Sequence, residues 1–194
     1  MKNKRRLGHH PLGTLLTVVW LRILLGGAAR WTTSPAIAQA PTNPERKAKI
    51  GRSRVPLTIT EVRNMESLDW LNDLEIEVQN NSSKPIFHLT VLLSFPDIPK
   101  TTEVDGTPRG VVIALAYGRL ELMHRNKRAG PEDIPIRPGE KHVLRIPEAL
   151  VKGLKSHLTK RNLPESIIKN VPIRVLDLSF GDGTGYNDDS SVFG

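Results

Sequence analysis

Leu74-Glu75-Ile76-Glu77-Val78-Gln79-Asn80 decides the fold. Apolar and polar residues alternate along it without a break, and side chains two apart on an extended strand share a face. Leu74, Ile76 and Val78 are therefore assigned to a buried face and Glu75, Glu77 and Gln79 to a wet one, the pattern of an antiparallel sheet with one solvated side. Asn81-Ser82-Ser83-Lys84-Pro85 has the composition of a turn. Ile86–Phe95 follows, with Phe87, Leu89, Val91, Leu93 and Phe95 on one face and Ile86, His88, Thr90, Leu92 and Ser94 on the other. The two runs are expected to pair as an antiparallel hairpin.

Working outward, Val55–Thr60 alternates Val55, Leu57 and Ile59 inward, and Trp70 is expected to plug the core. Residues 96–110 form a polar loop rich in Pro and Gly. Val111–Leu122 is the next strand, with Gly118 a bulge or bend. A second long loop, 123–140, closes on Pro138-Gly139, a tight-turn pair leading into a short strand, His142–Ile146. Pro147–Asn162 is the one good helix: Pro147 suits a first turn, and Leu150, Val151, Leu154 and Leu158 form an apolar stripe. Val171–Phe180 is the last strand, before a Gly-Asp-Gly turn. Strands without a βαβ rhythm predict a mainly β chain folded as an antiparallel sandwich with one short helix.

LEIEVQNNSSKPIF (74–87) followed by IRPGEKHVLRI (136–146) resembles bacterial extracytoplasmic immunoglobulin-like modules. There, too, a strand ends in Asn, a Ser/Lys-Pro turn follows, and a later Pro-Gly-Glu turn feeds another strand. The resemblance spans about residues 55–185 and extends to exported proteins of environmental bacteria that carry such a domain. It implies an immunoglobulin-like β-sandwich. Its motifs mark structure, not chemistry.

The N-terminus reads as an export signal. MKNKRR is a positive start, Leu12–Leu25 is mostly apolar, and Ser34-Pro35-Ala36-Ile37-Ala38 supplies small residues for cleavage after Ala38. The alternative is an uncleaved anchor over Leu12–Ala29. Against it, Arg22 lies near the centre, where an arginine costs about 2.5–3.5 kcal/mol on insertion scales. Residues 39–54, rich in Pro and basic residues, read as a disordered linker; 55–185 as the sandwich; 186–194 as a flexible tail. The expected location is extracytoplasmic, periplasmic or secreted, with membrane contact only through the leader.

The charge of the whole chain, +8, invites a nucleic-acid reading that its distribution removes. Residues 1–38 hold six basic residues and no acid, which leaves 22 basic against 20 acidic residues from 39 onward. A near-neutral body exerts no general pull on phosphate backbones. The chain has no cysteine, which excludes disulfides, thiolate metal sites and cysteine nucleophiles.

No residue pattern commits the chain to catalysis. His88, His124, His142 and His157 form no HxH or HExxH pair, and His88 is expected on the surface or half-buried. Glu75 and Glu77 are carboxylates two apart on a wet face, the one feature compatible with a small hydrolase or carbohydrate-active domain. Asp182, Asn187, Asp188 and Asp189 form an oxygen-rich C-terminal loop compatible with a calcium-stabilised surface module, without EF-hand spacing. No cofactor is called for. The leading expectation is a non-enzymatic binding or accessory module that meets another envelope protein through loops or a sheet edge. Arg119, His124, Arg125, Lys127 and Arg128 are the candidate interaction patch.

Overall fold

The computed structural model describes residues 45–102, 108–187 and 192–193. The expected signal peptide lies outside the described residues. The strands are β1 (Lys47–Ile50), β2 (Leu57–Arg63), β3 (Glu75–Asn80), β4 (His88–Phe95), β5 (Thr101–Thr102), β6 (Pro108–Arg109), β7 (Val111–Gly118), β8 (Lys141–Arg145), β9 (Asn170–Ser179), β10 (Gly185–Tyr186) and β11 (Val192–Phe193). The helices are the short α1 (Trp70–Asp73) and α2 (Glu148–Lys160).

Two mostly antiparallel sheets carry the fold. One runs β2-β3-β8; the other runs β7-β4-β9, continuing to β10 and β11, with β1 also on β9. The chain is mainly β with one substantial helix, as the alternation predicts. Leu57, Ile59, Ile76, Val78 and Leu144 face Leu89, Val91, Leu93, Ile113, Leu115 and Ile173 in one continuous core. Trp70 is fully buried and plugs that core, as expected.

The hairpin expectation is corrected. β3 pairs with β2 and β8, whereas β4 pairs with β7 and β9, so the two runs lie in different sheets. Asn80 explains the crossing. Its side-chain amide donates to the carbonyls of Lys84 (2.9 Å) and Ile136 (2.8 Å), while its Oδ1 accepts from Ser82 N (2.9 Å). Ile86 then bridges Ile136 instead of β3. The same bonds bury Asn80 completely, while the side chain of Asn81 is tied to Thr58 Oγ1 at 2.6 Å.

Three further expectations are corrected. Lys47–Ile50, inside the stretch read as a disordered linker, form β1 and run parallel to residues 170–173. Neighbouring Arg46 is buried: its guanidinium lies 4.9 Å from the Trp70 ring centre and donates to Met65 O at 3.2 Å. The stretch read as a flexible tail is partly strand, since Tyr186 pairs with Val192 and Gly185 with Phe193. His88 is fully buried, not on the surface.

α2 crosses from β8 to β9 and buries Val151, Leu154 and Leu158; Leu150, counted in the predicted stripe, stays exposed. The helix stops at Asn162, whose φ of 54° is left-handed, with Asn162 N and Leu163 N donating to Thr159 O and Leu158 O. Pro138-Gly139 makes the anticipated turn, with Gly139 at φ 76° and Glu140 N bonded to Arg137 O at 3.0 Å.

Candidate interaction site

β7 is one of the edge strands of the larger sheet. It follows the loop that ends at Gly110 and pairs along its whole length with β4, His88 opposite Gly118 through Phe95 opposite Val111. Among the described residues no strand pairs with its other side. Alternation sends Ile113 and Leu115 into the core and leaves Val112, Ala114 and Ala116 exposed. The strand has neither a charge nor a proline. Three other edges differ, and β11, at the far end of the same sheet, is only two residues long. β2 carries Glu61 and Arg63 and a register shift, β8 carries Lys141 and Arg145, and β1 carries Lys47 and Lys49. Charges and bulges are what proteins use to stop strangers pairing with an edge. β7 has none of these protections.

α2 stands opposite this edge. Val111, Val112 and Ile113 on the strand, with Ala149, Leu150, Gly153, Leu154 and His157 on the helix, line an open groove of about 260 Å³. Val112 (53 % exposed) and Leu150 (40 % exposed) form its apolar lips. Further along β7, Tyr117 closes the inner face. Its ring centre lies 4.4 Å from that of His142, and its hydroxyl donates to Ile134 O at 2.7 Å. Burial raises the Tyr117 pKa and lowers that of His142.

The sequence-predicted patch sits beyond the C-terminal end of β7, and the structure brings only part of it together. Arg119 is not free to meet a partner: its Nε and Nη2 hold the two carboxylate oxygens of Asp133 at 2.7 and 2.5 Å. That bond raises the arginine pKa and depresses that of Asp133. Arg128 Nη1 donates to Arg125 O (2.6 Å) and Lys127 O (2.9 Å), so these three share one turn. His124 begins the turn, accepting from Lys127 N at 2.9 Å. His124, Arg125, Lys127 and Arg128 are exposed.

Glu75 and Glu77 do lie side by side on the wet face of β3, but both are engaged. Glu77 takes Lys141 (2.7 Å), Arg63 (3.4 Å) and the Thr60 hydroxyl (2.7 Å); Glu75 takes Arg145 and Arg63. Lys141 and Thr60 hold the Glu77 pKa below the usual carboxylate range. A carboxylate kept ionised in this way is no proton donor at neutral pH. Near the C-terminus, Asp182 bonds Lys84 at 2.7 Å and Thr184 through both N and Oγ1. Burial raises its pKa, but these bonds outweigh that and bring it to about 2. Asp188 and Asp189 of the oxygen-rich loop lie outside the described residues. Among the described residues no three His, Asp or Glu converge as a metal site, and no helix is long and apolar enough to cross a membrane.

The groove itself was missed by sequence reasoning. Its signal was present: an uncharged, proline-free strand whose outward residues are all small, and an exposed Gly153 inside a helix. No protein-family model, curated protein or solved structure matches the chain.

Proposed function

We propose that the chain is an exported, non-enzymatic binding module of immunoglobulin-like type that recruits a partner polypeptide at the β7 edge. The strand order supports the immunoglobulin-like part. If β2, β3, β4, β7, β8 and β9 are lettered A, B, C, C′, E and F, the sheets read A-B-E and C′-C-F, with β10 and β11 in the place of G. The residues 1–38 pattern supports export. The single observation that carries the binding role is the undefended edge of β7 beside an apolar groove. Main-chain groups of an edge give affinity to any extended segment, and the flanking pocket selects its side chains. The edge is favoured over the loop patch because Arg119 is already committed to Asp133.

The test sets two variants of the full chain against the parent in affinity capture from envelope extract, with the bound proteins identified. Ala114→Lys puts a charge on the exposed side of the edge; Arg125→Ala, Lys127→Ala and Arg128→Ala together strip the loop. Loss of the same partner from the edge variant, with the loop variant unchanged, is the expected result. Retention by the edge variant refutes the reading, and loss from the loop variant alone moves the site to 123–128.

A further inference from the structure

The two walls of the groove make different demands on a ligand, and together they specify its chemistry. The β7 wall presents backbone groups at strand spacing, which only another extended backbone satisfies in series. The α2 wall is shallow and apolar. Ala149 and Gly153 are exposed, and a methyl group built on Gly153 would meet nothing within 4 Å. Short branched side chains suit a surface of this kind beside a pleated edge.

Charge narrows the ligand further. None of the eight lining residues is acidic. Of the lysines on α2, Lys152 is held by Glu148 at 2.7 Å and Lys155 by Asp69 at 2.7 Å. Lys160 is exposed and has no ion-pair partner among the described residues. It lies three residues past His157, hence on the same side of the helix as the groove. We infer that the groove takes an extended peptide with small or β-branched apolar residues at alternate positions, and a carboxylate side chain that meets Lys160. The inference rests on the edge reading above and adds the ligand class.

Three labelled heptapeptides test it with the full chain by fluorescence anisotropy. All share the core Val-Thr-Val-Thr-Val and are flanked at both ends by Glu, Gln or Lys. The Glu-flanked probe is expected to bind about two- to five-fold more tightly than the Gln-flanked one, the range of one exposed ion pair. The gap closes in 1 M salt, where screening reaches about 3 Å. Lys160→Gln removes the gap without weakening the Gln-flanked probe. Gly153→Leu fills the groove where the structure has open space; it is expected to abolish binding of all three while the thermal melt holds or rises. Equal binding of all three probes, lost in Gly153→Leu, overturns the charge assignment and leaves the edge reading standing. Failure of every probe, or full binding by a folded Gly153→Leu chain, overturns both.

Discussion

His88 shows how far one buried residue departs from its sequence setting. Periodicity assigns it to the polar side of its strand, and the structure does put it on the side away from the core, opposite Gly118 and Ser179. What the strand pattern omits is the 3-10 turn Leu120–Met123, which closes over that side; Ser179 Oγ donates to Leu122 O at 2.6 Å. His88 Nε2 lies 3.1 Å from Thr90 Oγ1, and Nδ1 has no hydrogen-bond partner. Burial pushes the imidazole pKa below its usual value, outweighing the Gly118 and Tyr117 backbone and Glu121, which act the other way. The unfolded chain therefore takes up this proton first. The stability His88 contributes is present above pH of about 6.5 and is lost as pH falls from there towards its folded pKa. Chemical denaturation between pH 5 and 7.5 is expected to show a stability slope that His88→Gln reduces, the remainder coming from His142. An unchanged slope would contradict the buried neutral imidazole. Trp70, by contrast, was legible, since a large apolar ring next to the clearest strand has nowhere else to go.

At the scale of elements, strand existence was legible and strand partnership was not. Alternation reports which face is buried and says nothing about which neighbour completes the ladder. The turn at 81–85 is compatible with a hairpin, and only Asn80 reaching Ile136 across the molecule shows that the chain changes sheets there. β1 was hidden because Lys47 and Lys49 dominate its composition, while its order comes from the β9 backbone and from the seat of Arg46 on Trp70. The end of β7 was better signalled. Gly118 has φ 73°, and a β-carbon built there would lie 1.9 Å from Phe87 O. Gly118→Ala is accordingly expected to lower stability by more than about 1 kcal/mol, read as a reduced urea midpoint. A midpoint equal to the parent's would mean that the strand does not end on this strained turn.

Across the described residues, the two main sheets have edges that are unequally defended. Each wall of the groove left its own mark in the sequence, but their meeting was illegible, because 111–113 and 149–157 are far apart in the chain and come together only through packing. A partner can add to this edge only if β7 is bonded on one side alone. Residue-resolved amide exchange on the full chain measures this directly. The prediction is alternation along 111–118, with amides facing β4 slow and the intervening ones fast, beside uniformly slow amides in β4. Uniform protection along 111–118 would contradict the account, because it would mean that the edge is already covered.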